Sequence, residues 1–386
     1  MARLARAEVF DPSEIAIVHV MNRVVRRCIL FGDDPISGKN FDHRKVWIED
    51  QLRLQAACFG IDLLGFAILP NHFHLILRSR PDCVEHWDDT EIARRWLTLC
   101  PIRKTADGQA AEPTDEELNT IRLDTVRLKV IRLRLSDLSW WMRILCQQIA
   151  RRANEEDQQL GKFFQARFKA VRLLDEQALL ACAAYVDLNP IRAALAETLA
   201  SSDFTSVQRR IQTVQQPHTA TPAGTSAPGV AESQTDATAG GQKLSPSSGA
   251  RITPDQFLAP VALDHRNDAE LGPVPNKTGT RCSDKGFLPM SLGDYLQLLD
   301  WTGRQLAQGK KGRIPDSIGP ILQRLQLDQN GWCDLVAHFG QRFFVVAGAP
   351  TTIDATTSRI HQHRYHVPAA TRQLFRDVES RKASTA

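Results

Sequence analysis

Two histidines one residue apart, His72 and His74, lie in the run Ile68-Leu69-Pro70-Asn71-His72-Phe73-His74-Leu75-Ile76-Leu77-Arg78. A strand alternates its side chains between faces, so both imidazoles project from one face while Phe73, Leu75 and Leu77 project from the other. Two neutral imidazoles at that spacing can hold one divalent cation, and an incomplete set of protein ligands leaves positions open for a phosphate. Such a cation needs a further ligand and a nucleophile. Tyr185 and Asn189 can supply both. They stand at i and i+4 in a stretch, 181–190, that is helical in composition and stops near Pro190, so they share one helix face. The chain has three tyrosines, and Tyr185 is the only one before residue 290. Each residue alone has a plainer use, since an Asn ahead of a Pro commonly ends a helix and a lone tyrosine usually packs in a core. Their joint occurrence favours a site.

The elements that position these residues follow from periodicity. Glu14 to Arg23 reads as a strand, and Arg44 to Phe59 as an amphipathic helix. Ile61 to Leu69 and His72 to Arg78 form a strand pair around Pro70-Asn71. Ser136 to Asn154 is a second helix and Phe163 to Leu174 a fourth strand, after which Asp175-Glu176 opens the helix that carries Tyr185. The fold class is therefore α+β. The first six elements, β-α-β-β-α-β, are those of a ferredoxin-like antiparallel sheet with helices on one face. The added helix crosses near the histidines.

Basic residues cluster around this frame. His19 and Arg23 lie on the first strand, where His19 is equally well a core or a DNA-contacting histidine. Lys162, Arg167, Lys169 and Arg172 form a run without acids, interleaved with Phe163, Phe164 and Phe168. Alternation puts Gln165, Arg167 and Lys169 on one face, which suits phosphate contacts along a single strand. A second basic stretch, from Arg122 to Arg134, reads as a solvated helix face, and the histidines of 361–366 read as surface residues.

These motifs closely resemble those of the single-tyrosine HUH transposases, and within them the REP-associated tyrosine transposases. His72-Phe73-His74 matches the HUH signature behind a Leu-Pro-Asn turn. Tyr185, Asn189, Pro190 and Arg192 match the tyrosine motif, 161–169 resembles the family's Phe-Gln-x-Arg strand, and His19 to Arg23 its opening strand. The resemblance covers roughly residues 14–200. It implies that Tyr185 attacks a phosphodiester of hairpin-bearing single-stranded DNA, giving a 5′-phosphotyrosine and a free 3′-hydroxyl that permits rejoining. It further implies one Mg²⁺ or Mn²⁺ held by His72, His74 and Asn189, with His19, Arg23, Gln165, Arg167, Lys169 and Arg192 toward the DNA. A transposase of the insertion-sequence kind, acting in DNA recombination, is the expected activity. The alternatives are a non-catalytic, domesticated binder of repeat hairpins and a tyrosine-dependent single-strand endonuclease. Compact members lack the counterpart of residues 81–137, an insertion here, and they lack the long extension beyond residue 212. A homodimer with Tyr185 acting in cis or across it is left open.

At 386 residues the chain has room for two cores. The expected organisation is a transposase-like domain over 1–212, a disordered linker over 213–250 rich in Thr, Pro, Ala, Gly and Ser, and a small all-α module over 285–375. A net charge of +4 permits nucleic-acid binding without requiring it. Eight scattered cysteines, with no Cys-x-x-Cys pair, argue for reduced thiols. The first residues lack the apolar core of a signal peptide, and no apolar run approaches a membrane span, so a cytoplasmic protein is expected.

Overall fold

The computed structural model describes residues 10–25, 31–35, 38–216, 253–263, 274–307, 315–317, 319–325, 327–360, 368–369 and 371–372. The first strand, β1 (Ile17–Arg23), is followed by helix α1 (His43–Cys58) and by the pair β2 (Ile61–Leu69) and β3 (His72–Ser79). Four helices fill the expected insertion: α2 (Pro81–Glu85), α3 (Asp89–Leu99), α4 (Asp115–Arg122) and α5 (Thr125–Ser136). Then come α6 (Leu138–Asp157), β4 (Lys169–Leu173), α7 (Glu176–Asp187), the single turn α8 (Asn189–Arg192) and α9 (Ser206–Gln215). The remaining elements are α10 (Leu292–Leu306), α11 (Gly319–Arg324), α12 (Gln329–Arg342), the short β5 (Val346–Ala347) and α13 (Pro350–Ile360).

The five strands form one sheet in the order β2-β3-β1-β4-β5, antiparallel except for the parallel β4–β5 pair. All of β2 is buried. Its run Ile-Asp-Leu-Leu-Gly-Phe-Ala-Ile-Leu is apolar on both faces, and a strand of that kind must be covered on both. Alternation sorts the rest. Phe73, Leu75 and Leu77 join Val18, Val20 and the apolar residues of α1 and α6 in one core, whereas Ile76, Val171 and Leu173 join α7 and the C-terminal helices in another. The structure is α+β with helices on both faces of one sheet.

Residues beyond the linker are built into this body. Buried Asp62 of β2 accepts hydrogen bonds from Arg78 Nε at 2.9 Å and from the backbone N and Oγ of Ser283 at 3.0 and 2.8 Å. Arg78 donates onward to the carbonyls of Gly286 and Lys285. Gly286 has no room for a side chain, since a Cβ there would stand 1.9 Å from the Ala262 carbonyl oxygen. The region expected to form an all-α module thus supplies a strand to the sheet and much of the core over α7. Residues 217–252, most of the expected linker, lie outside the described residues, as do the histidines of 361–366. The seven described cysteines are free thiols. Among the described residues no helix is long and apolar enough to cross a membrane.

Candidate functional site

Strand β3 places His72 opposite Arg23 and His74 opposite Met21 of β1, with the two imidazole rings 5.0 Å apart and edge to face. His72 Nδ1 lies 2.6 Å from Asn71 Oδ1. A carboxamide oxygen only accepts, so Nδ1 carries the hydrogen and Nε2 keeps its lone pair. His74 is buried, stacked on His19 at 5.1 Å, with its Nδ1 2.9 Å from His19 Nε2. Its other nitrogen, Nε2, is buried without a hydrogen-bond partner. Leaving such an atom unpaired costs on the order of 1–3 kcal/mol, so a ligand there is favoured.

Helix α7 brings Tyr185 to the same place. Asp175 caps it by accepting from the Ala178 amide at 2.9 Å, and at the far end buried Asp187 accepts from Ser206 Oγ, from the Val207 amide and from Tyr295 Oη at 2.7 Å. Tyr295 is itself buried and fully engaged in that anchor. The Tyr185 ring stands edge-on to His74 at 5.4 Å and to His19 at 6.0 Å, and the Arg192 guanidinium lies 4.7 Å from its centre.

Burial governs the electrostatics. It pushes His72 and His19 down to about 4 and His74 well below the usual imidazole range, with the Arg23 guanidinium also disfavouring protonation of His72 and His74. All three are therefore neutral at neutral pH. Burial raises the Tyr185 phenol above its ordinary value, against an opposing pull from Arg192.

Tyr185, His74 and His19 open into a cavity of about 240 Å³, together with Lys169 and Arg192. Its roof is α12. Phe339 lies tilted against Tyr185 at 5.7 Å and edge-on to His19 at 6.1 Å, and Arg192 donates to the Ala337 carbonyl. A Cβ on Gly340 would stand 3.0 Å from Tyr185 Oη, so a side chain there would push the phenol or the roof aside by a few tenths of an ångström.

The structure lines one cavity with Tyr185, His74, Lys169 and Arg192 and sets His72, opposite Arg23 on the neighbouring strand, beside His74. His19, expected as a core or DNA-contacting residue, is 6% exposed, bonded to His74 and part of the same lining. Other expected site residues lie apart. Asn189 is buried but does not line the cavity, because α7 ends at Asp187 and the i to i+4 face it was to share with Tyr185 is interrupted at Leu188. The fourth strand begins at Lys169 rather than at Phe163, so alternation does not align Gln165, Arg167 and Lys169. Gln165 is exposed with its amide on the Arg23 carbonyl, and Arg167 lines a different cavity, across the sheet from Tyr185. Sequence reasoning missed Phe339 and Gly340. No motif marks them, and their distance from Tyr185 in the chain hides the contact.

A metal held here would find two neighbouring imidazoles, His72 and His74, the latter with an unpartnered Nε2. Among the described residues no group of three His, Cys, Asp or Glu is arranged to hold an ion. These donors fit a divalent cation that takes its other ligands from a substrate and from water.

No protein-family model and no curated protein matches the chain. Among solved structures, that of a REP-associated tyrosine transposase bound to a REP hairpin is similar at 12% identity, covering 55% of this chain and 93% of that one with a TM-score of 0.28. A likeness that loose settles neither fold nor function.

Proposed function

We propose that this protein is a metal-assisted single-tyrosine DNA transferase, cleaving and rejoining hairpin-bearing single-stranded DNA. One observation carries the reading: Tyr185 lines a cavity beside a buried histidine whose Nε2 has no hydrogen-bond partner, with Arg192 and Lys169 in the same lining. The element order β-α-β-β-α-β, with β1 to β4 antiparallel in one sheet, supports the resemblance of the motifs.

The chemistry follows from these groups. Tyr185 Oη attacks a backbone phosphorus, the bond to the 3′-oxygen breaks, and that oxygen leaves with the phenolic proton as a 3′-hydroxyl. The phosphotyrosine retains the phosphodiester energy, and attack by a second 3′-hydroxyl restores a DNA strand and frees the phenol. Arg23, Lys169 and Arg192 offset the phosphate charge and orient it. A divalent cation, Mg²⁺ or Mn²⁺, held by His72 and His74 would polarise the phosphate and favour the phenolate. Asn189, buried at the start of α8 and outside the cavity lining, is given no ligand role in this scheme.

The test is incubation with labelled hairpin-bearing single-stranded DNA from the flanks of the gene and Mn²⁺ or Mg²⁺. An adduct that survives denaturation is expected, lost in Tyr185→Phe and in His74→Ala. An adduct that persists in Tyr185→Phe refutes the nucleophile. A second reading, a hairpin binder that no longer cuts, draws on the close cover of Tyr185 by α12. Tight binding without adduct across several flanking substrates would favour it.

A further inference from the structure

Across the sheet from Tyr185, a second cavity of about 390 Å³ opens between α6 and the segment leading into β4. That size lies in the roughly 300–1,000 Å³ range of small-ligand pockets. Its apolar walls include Trp140 of α6 with Phe164 and Phe168 of the segment, its floor is Asn22 of β1, and Arg143 and Arg167 stand among the lining residues. No carboxylate lines it. Arg143 is exposed, and its guanidinium carbon lies 4.6 Å from the centre of the Trp140 ring, so the ring holds a cation at the cavity's edge. A second guanidinium, Arg134, lies 4.1 Å from the same ring. Asn22 is 5% exposed, and its amide donates to Cys146 Sγ at 3.2 Å. A thiol sulfur is a weak acceptor, so that amide has more to gain from a stronger one.

Aromatic walls, arginines and a buried carboxamide are the parts that hold an unpaired base and its phosphates. We propose that this groove binds an unpaired nucleotide of single-stranded DNA, its base among Phe164, Phe168 and the Trp140–Arg143 pair and its phosphates on Arg143 and Arg167. The assignment deepens the transferase reading and rests on it for the choice of DNA. Residues 164–169 join the two cavities, since Phe164 and Arg167 line the groove while Lys169 lines the Tyr185 cavity. A strand seated in the groove therefore continues over this segment toward the nucleophile, and the groove selects the nucleotides flanking the cut.

The experiment uses the full chain carrying Tyr185→Phe, with fluorescein-labelled single-stranded oligodeoxynucleotides in EDTA, read by anisotropy. Arg143→Glu and Arg167→Glu are each expected to weaken binding about tenfold or more, Trp140→Leu by several-fold, and Trp140→Phe less than Trp140→Leu. Arg304→Glu, on the exposed surface of α10, serves as the charge control and should leave binding unchanged. A strand bearing 5-iodouracil should photo-cross-link to Trp140, Phe164 or Phe168. Binding unaffected by both charge reversals overturns the proposal, as does tighter binding of the matching RNA. Cross-linking at these residues in a protein whose unsubstituted form makes no covalent adduct would uphold the groove while the transferase reading failed. An adduct formed with unchanged KM and kcat in Arg143→Glu and Arg167→Glu would do the reverse.

Discussion

His74 is the residue on which the site turns. One nitrogen is tied to His19 and the other is buried and unpaired, so its ring is oriented, and Nε2 offers a lone pair in the tautomer whose Nδ1 donates to His19. His74→Ala should abolish Mn²⁺ binding measured by isothermal titration, while Tyr185→Phe leaves it within about twofold; equal affinity in His74→Ala would remove the histidines from the metal's account. Mg²⁺ gives up its water reluctantly and demands near-ideal octahedral geometry, so Mn²⁺ should support adduct formation at lower concentration. The same burial has a pH consequence. His19 and His72 have folded values near 4 against about 6.5 unfolded, so below 6.5 the unfolded chain takes up protons that the folded chain refuses. Stability of the metal-free protein should therefore fall as pH drops from about 6.5 toward 4, by a few kcal/mol in all. Urea midpoints that stay flat over that window would contradict the neutral buried histidines. At this scale the His-x-His on an apolar strand was the most legible part, since alternation alone puts both rings on one face, whereas the shared face of Tyr185 and Asn189 was lost at Leu188. The pairing of His19 with His74 was not legible, because it depends on strand register.

Among the elements, α1, β2, β3, α6 and α7 lie within a few residues of where periodicity places them. Each has a long apolar pattern or a cap, as Asp175 caps α7. The strand expected from Phe163 shortens to begin at Lys169, because Phe163 and Phe168 are needed in the core at a spacing that alternation does not provide. Helix α12 was foreseen as a helix but not as the roof of a site. Its glycine is the sensitive point. Gly340→Ala gains about 1 kcal/mol of helix propensity and sets a methyl 3.0 Å from Tyr185 Oη. Thermal stability should change little, whereas the rate of adduct formation should drop at least severalfold. A rate equal to that of the parent would mean that the roof lifts away before reaction.

For the molecule as a whole, composition suggested two cores separated by a linker, and two cores exist, but they lie on the two faces of one sheet. Sequence patterns report which residues are apolar and not which distant segment covers them, so the return of 274–347 onto α7 was beyond their reach. Removing that cover should be costly. A fragment ending at residue 216 bares the apolar surface of α7 and should elute as aggregate in size-exclusion chromatography where the full chain is monodisperse. Asp62→Ala removes the carboxylate that pairs with buried Arg78, while Arg80 keeps Asp82, and should destabilise by about 3–5 kcal/mol, with the loss read in chemical denaturation. Phe339 on Tyr185 also sets a schedule for biosynthesis. The ribosome must add the stretch from 185 to 339 before Tyr185 acquires its ceiling, a delay of roughly 8–30 s at 5–20 residues per second. Through that interval the nascent chain carries its histidines and tyrosine without the helix that shapes access to them, so the pocket matures late in translation, and a prematurely stopped product would hold every motif residue yet lack a finished pocket.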